Sequence, residues 1–172
     1  MKLKNTILAA LAIMSTLTAQ AAPNKKNPPP PPPPPPIPIS SLPFSIPGPG
    51  TYVLTRNLSY PATEGVANPV AIGLNVPPGG IGGPIIIDFK GFTITCTATS
   101  DLQSRSEGIR IASDQDTLIP ITIRNGTLAS FNWGVYFSLV HGITINNMTF
   151  SETPIPLTII ENPSATINNC NF

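Results

Sequence analysis

Charge is scarce in this sequence. Lys and Arg number 9 and Asp and Glu 8 in 172 residues, for a formal net charge of +1. No basic patch or stripe forms, which excludes nucleic acid as a partner. Histidine and tryptophan occur once each, as His141 and Trp133, and cysteine twice, as Cys96 and Cys170. Helix signals are nearly missing after residue 21. No amphipathic helix is present to lie on a membrane. What the chain has in plenty is Pro, Gly, Asn, Thr and Ile, with short β-branched runs bounded by turn residues. That pattern reads as strands separated by turns.

The N-terminus is organised differently from the rest. Lys2 and Lys4 precede an apolar run from Ile7 to Leu17, and Ala19-Gln20-Ala21 follows with small residues. A positive start, an apolar stretch and a small-residue site are the parts of a secretory signal. The run is shorter than the ~20 residues a membrane-crossing helix needs. Residues 1–21 are therefore expected to be a signal peptide cleaved after Ala21. Secretion follows, to the periplasm, the cell surface or the medium, with no membrane span after cleavage. Residues 22–40 come next, with nine consecutive prolines from Pro28 to Pro36. Proline has no backbone donor and favours extended polyproline II. The tract reaches about 28 Å at roughly 3.1 Å per residue. It is expected to be a disordered, proline-rich linker that cannot join a core. Residues 41–172 remain, enough for one domain.

Within that domain the sequence repeats. Ile121-Thr122-Ile123-Arg124-Asn125-Gly126-Thr127-Leu128 is followed 22 residues later by Ile143-Thr144-Ile145-Asn146-Asn147-Met148-Thr149-Phe150. A further 22 residues on stands Ala165-Thr166-Ile167-Asn168-Asn169-Cys170-Asn171-Phe172. An earlier copy, Ile87 to Ile94, lies 34 residues before the first of these. A second series interleaves with it. Gly134-Val135-Tyr136-Phe137-Ser138 matches Pro156-Leu157-Thr158-Ile159-Ile160 at 22 residues, with earlier versions at Gly108–Ala112 and Ala71–Asn75. A fixed period of this size means stacked units. Alternation of apolar and polar residues within each copy means strands. The expected fold is all-β, a parallel solenoid with coils of about 22 residues, each adding an apolar layer. Ile121, Ile143 and Ala165 then stack inward, as do Ile123, Ile145 and Ile167.

Asn125, Asn147 and Asn169 share one column. Asn tolerates left-handed backbone at a turn, and stacked amides can bond along the axis. Gly91 is expected at the same place in the first copy. These positions form a structural ladder. Asn57-Leu58-Ser59, Asn125-Gly126-Thr127 and Asn147-Met148-Thr149 match the glycosylation sequon, and the ladder competes for the last two.

These residues resemble right-handed parallel β-helix proteins of the pectin-lyase-like group. Ile46–Leu58 looks like the entry segment of bacterial proteins of that kind, ahead of a first coil at Ile85–Ile94. The resemblance covers Ser41 to Phe172. It implies a fold and leaves the chemistry open, because this fold hosts polysaccharide lyases, glycoside hydrolases and surface adhesins.

A lyase would show clustered acidic residues for Ca²⁺ and a basic proton acceptor. A hydrolase would show two carboxylates facing one cleft. On the expected register Asp88, Thr122, Thr144 and Thr166 form one outward column, and Lys90, Arg124, Asn146 and Asn168 the next. Asp88, Lys90 and Arg124 are then a charged cluster, weighed as surface ion pairing against an acidic or sugar-binding patch. Arg110, Tyr136 and Thr158 form an outward column where Tyr beside Arg can support a sugar ring. Asp88, Lys90, Arg124, Arg110 and Tyr136 are thus the binding candidates, and no catalytic set is recognised. Asp114-Gln115-Asp116 offers two carboxylates to a Ca²⁺ ion, fewer oxygens than the ion wants, so no metal or cofactor is expected. His141 reads as a solvated turn residue without a matched partner. Trp133 reads as a corner residue.

Cys96 and Cys170 lie three coil steps apart, about 14 Å. A disulfide needs Cα atoms within about 7 Å, so two free thiols are expected. The last repeat copy ends at Phe172 with no capping segment after it. An uncapped solenoid exposes an apolar layer, which leads to the expectation of an incomplete gene product or of self-association through that end. The functional expectation is a secreted binding or adhesion module for a polysaccharide or cell-surface component. The alternative is the N-terminal part of a polysaccharide lyase or glycoside hydrolase.

Overall fold

The computed structural model describes residues 32–62, 66–161 and 164–172. Pro33–Phe172 forms one compact unit. The expected signal peptide and residues 22–31 of the expected linker lie outside the described residues.

The described residues of that unit are all-β apart from one helical turn, α1 (Ser100–Gln103). The strands are β1 (Ile37–Ile39), β2 (Phe44–Ser45), β3 (Gly50–Leu54), β4 (Leu58–Tyr60), β5 (Val70–Val76), β6 (Ile85–Asp88), β7 (Thr93–Cys96), β8 (Glu107–Ala129), β9 (Trp133–Ser151), β10 (Ile155–Ile160) and β11 (Ala165–Asn168). Every pairing among these strands is parallel. The parallel pairs form three series. One runs β2, β5, the start of β8, the start of β9 and β10. The second runs β1, β3, β6, the middle of β8, the middle of β9 and β11. The third runs β4, β7 and the ends of β8 and β9, closing on a bridge from Thr149 to Asn171.

The first two series are those that the repeat implies. Ile121 pairs with Ile143 and Ile143 with Ala165, and Ile109 pairs with Val135 and Val135 with Leu157. The change from a 26-residue to a 22-residue offset has a local cause. The register between β8 and β9 shifts between Ala112 and Thr117 and again between Leu118 and Ile121. Three of the four extra residues lie between Ala112 and Thr117, where the Asp114–Asp116 segment falls, and the fourth lies between Leu118 and Ile121.

Stacked apolar side chains fill the inward positions. Ile85, Ile87, Ile121, Ile123, Ile109, Val135, Phe137 and Leu128 are all fully buried. Phe150 and Phe172 stack with ring centroids 5.4 Å apart and planes within 2°. Parallel strands buried on one face need such unbroken columns, and β-branched residues fit the pleat. The left-handed turns recur as expected, with φ of 61° at Asn125, 53° at Asn147 and 50° at Asn169. Asn147 Nδ2 donates to Asn125 Oδ1 at 3.1 Å. The next rung is carried by the neighbouring pair, Asn168 Nδ2 to Asn146 Oδ1 at 2.9 Å.

Two expectations need correction. The ordered pairing starts inside the expected linker, because β1 (Ile37–Ile39) pairs with Tyr52–Leu54 of β3. Pro38 sits in an edge strand, where a missing donor is tolerated. The second correction concerns the first repeat copy. Ile85, not Ile87, pairs with Ile121, so the frame lies two residues from the expected one. Three successive isoleucines make Ile85 and Ile87 equivalent to any alternation rule, and a slip of two keeps the same face inward. The first copy then turns through two left-handed residues, Lys90 at 54° and Gly91 at 85°, where the later copies use one Asn. The two frames rejoin at Thr93, which pairs with Thr127.

Candidate functional site

The two-residue correction rebuilds the charged cluster. Asp88 pairs with Arg124 in a column that runs Pro38, Val53, Asp88, Arg124, Asn146, Asn168, whereas Thr122 pairs with Ile86. The expected Asp88–Thr122 column does not form, and Lys90 lies on the turn instead of in the Arg124 column. Asp88, Lys90 and Arg124 do come together. Arg124 Nε donates to Asp88 Oδ2 at 2.9 Å, and Lys90 Nζ lies 3.6 Å from the same oxygen. Asp88 Oδ1 accepts from Lys90 N at 2.9 Å and from Asn125 Nδ2 at 3.2 Å.

Asp88 is not a surface carboxylate; it is 1% exposed. Burial pushes its pKa up. The Lys90 backbone donor, the Asn125 amide and the Arg124 guanidinium together outweigh burial and hold it below the ordinary range. Both oxygens are therefore occupied by the protein's own donors. Asp88 ties the turn at Lys90–Gly91 to the next strand, heads the Asn125–Asn147 ladder, and has no oxygen left over for a ligand. Of this cluster, only the outer parts of Lys90 and Arg124 reach solvent.

The second candidate group lies on another strand series. Arg110 pairs with Tyr136, and Tyr136 with Thr158. Going the other way, Arg110 pairs with Gly73, and Gly73 with Ser45. The outer column is thus Ser45, Gly73, Arg110, Tyr136 and Thr158. Arg110 Cζ sits 4.7 Å from the centre of the Tyr136 ring, a cation–π contact worth about 0.5–1 kcal/mol when partly exposed. The guanidinium therefore covers one face of Tyr136.

Glu107 lies beneath Arg110. Its side chain is 3% exposed, and Arg110 Nη1 donates to Oε1 at 3.0 Å and to Oε2 at 3.3 Å. Burial pushes the Glu107 pKa up, and the charge and hydrogen bond of Arg110 oppose this without cancelling it. A cleft of about 530 Å³ opens beside this pair, lined by Ser45, Asn68, Val70, Gly73, Asn75 and Arg110 together with the core residues Ile46 and Leu74. Glu107 and the cleft are not evident from the repeat. Gly108 opens the second-series copy as the sequence shows it, one residue too late to include Glu107. Asn68 and Ser45 lie in segments with no repeat at all.

The remaining candidates are placed as follows. His141 does have a partner: its Nε2 lies 3.2 Å from Asp116 Oδ1, because His141 stands opposite Leu118 in the shifted register. One carboxylate of the Asp114–Asp116 pair is therefore engaged. Among the described residues no three His, Cys, Asp or Glu side chains converge as metal ligands would. Trp133 opens β9, paired with Glu107 on one side and Ile155 on the other. Cys96 is buried and Cys170 half-buried, and both are free thiols. Compared with protein-family models, curated proteins and solved structures, the chain matches none, so the pectin-lyase-like resemblance rests on the repeat residues alone.

Proposed function

We propose that the chain is a secreted right-handed parallel β-helix domain that binds an extracellular polysaccharide or cell-surface glycan through the Arg110–Tyr136 face. Parallel pairing in three series and the repeated 22-residue offset support the β-helix architecture. The signal-like N-terminus and the proline tract support export and display. The cleft beside Arg110 carries the binding reading, because it brings amide, hydroxyl and guanidinium groups together around Gly73 and the half-buried Val70. A cleft of several hundred Å³ with a few placed polar groups has the usual make-up of a ligand site.

The competing reading, part of a lyase or hydrolase, is less well supported. Hydrolysis takes two carboxylates about a glycosidic bond. Among the described residues, Glu107 is the carboxylate nearest the cleft in the pairing pattern, and Arg110 engages both its oxygens. Retention on insoluble and soluble polysaccharides tests the binding reading. The wild-type chain is expected to be retained by at least one, with Tyr136→Ala and Arg110→Ala both weakened. Release of reducing or unsaturated sugars would instead favour the enzyme.

A further inference from the structure

We infer that Gly73 is the floor of a ligand subsite and that the chain lying across it is a neutral, polyhydroxylated glycan. The inference rests on the glycan-binding function proposed above and adds the position of the subsite and the charge class of its occupant.

Glycine inside a strand weakens it, and marks a bulge, a bend or a close approach by another group. The fold makes no such demand at Gly73. Its φ lies outside the left-handed region where Gly79, Gly80, Gly91 and Gly142 are found. The register from Ile72 through Leu74 against Ile109 through Ile111 runs without a shift, so there is no bulge. A Cβ at Gly73 would meet Val70 Cγ1 at 3.7 Å, an ordinary contact, and nothing closer. Gly126 is different: a Cβ there would strike Phe89 and the carbonyl of Phe92. Gly126 is required by packing and Gly73 is not. The missing side chain at Gly73 interrupts the outer column between Ser45 and Arg110, and the gap forms part of the cleft.

The charge class follows from the lining. Among the described residues lining the cleft, Arg110 is the one ionic side chain. Its Nη1 is already committed to both oxygens of Glu107, which is buried against it. A carboxylated sugar would meet a guanidinium whose charge is largely balanced, with a second carboxylate behind it. A neutral ring would exchange hydrogen bonds with Asn68, Asn75 and Ser45 and pack on Val70, with no charge to desolvate.

The test is binding of the purified full-length chain to a soluble mixed-linkage glucan, a galactomannan and polygalacturonate, by calorimetry or affinity electrophoresis. The wild type is expected to bind at least one neutral glycan more tightly than polygalacturonate. Gly73→Val is expected to weaken that binding tenfold or more while leaving the urea midpoint equal or higher, since it removes the freedom of glycine in the unfolded chain. Gly73→Ala adds only a methyl group in ordinary contact and is expected to fold and to bind at an intermediate level. Glu107→Gln is expected to shift preference toward polygalacturonate by unbalancing Arg110. Undiminished binding by folded Gly73→Val would overturn the subsite and leave the binding function standing. A wild-type preference for polygalacturonate would overturn the charge class alone. No binding of any glycan by the wild type would overturn the proposed function and the inference together.

Discussion

Asp88 and Arg124 face each other across adjacent parallel strands, with Arg124 Nε 2.9 Å from Asp88 Oδ2. The carboxylate is buried, whereas the guanidinium reaches solvent. Their relationship is one of anchoring: the acid accepts from three donors, pairs with the Lys90 ammonium, and fixes the turn at Lys90–Gly91 onto the next row. Asp88→Ala is expected to destabilise the domain by about 1–3 kcal/mol, the cost of leaving buried partners unmet. Lys90→Ala removes a longer, exposed contact and is expected to cost within about 0–1 kcal/mol. Urea unfolding of both variants checks the order. Equal costs would show that Asp88 is not the anchor.

Acid acts on the two buried carboxylates in opposite directions. Asp88 has a lowered folded pKa, so its stabilisation is present above the unfolded value near 3.9 and is lost as pH falls through the folded value. Glu107 has a raised folded pKa, so its contribution is present below the unfolded value near 4.3 and is lost as pH rises through the folded value. Stability measured from pH 3 to 7 is expected to fall less steeply toward acid in Asp88→Asn than in the wild type. Glu107→Gln is expected to lack the component that the wild type loses as pH rises above the ordinary Glu range.

Cys96 is buried opposite Tyr60 in the β4–β7 pair, and Cys170 lies at the other end of the stack with its Sγ 3.7 Å from Ile145 O. A thiol-reactive dye is expected to count two thiols per chain under denaturing conditions without reductant. In the native state Cys170 is expected to react first and Cys96 slowly. A count that rises from zero to two only after reduction would mean a disulfide, and the row assignment would be wrong.

Gly126 packs where a side chain has no room, against Phe89 and the Phe92 carbonyl. Gly126→Ala is expected to cost at least about 1–3 kcal/mol, as overpacking does. Thermal unfolding of this variant beside Gly73→Ala separates the two kinds of glycine: one variant should melt well below the wild type and the other near or above it.

The stacking was legible wherever the copies are in phase. Ile121, Ile143 and Ala165 differ by a constant offset, so one alignment fixes their pairing. The ends of the copies, Thr93–Ile94, Thr127–Leu128 and Thr149–Phe150, stack as the alignment implies, but β4 was not legible, because it is short and stands ahead of the first copy. The frame of Asp88 was missed for a different reason. Ile85-Ile86-Ile87 satisfies strand alternation in two registers, and only the length of the turn at Lys90–Gly91 decides between them. The cleft was hidden further still. Ser45, Gly73 and Arg110 are neighbours in space, yet their separations in sequence follow no period, because insertions of different length lie between them. Glycine at position 73 carries no signal until its φ and its surroundings are known.

The constant 22-residue step between the later rows bears on how such a chain can change over generations. A deletion of one residue inside a strand between Asn125 and Asn147 would turn the rest of that strand to the opposite face, up to the next turn or bulge. A duplication of 22 residues would insert a whole row whose turn, ladder Asn and inward isoleucines already match both neighbours. Whole-unit changes therefore keep every pairing in this part of the molecule, whereas other lengths have to be taken up in irregularities such as the one between Ala112 and Ile121.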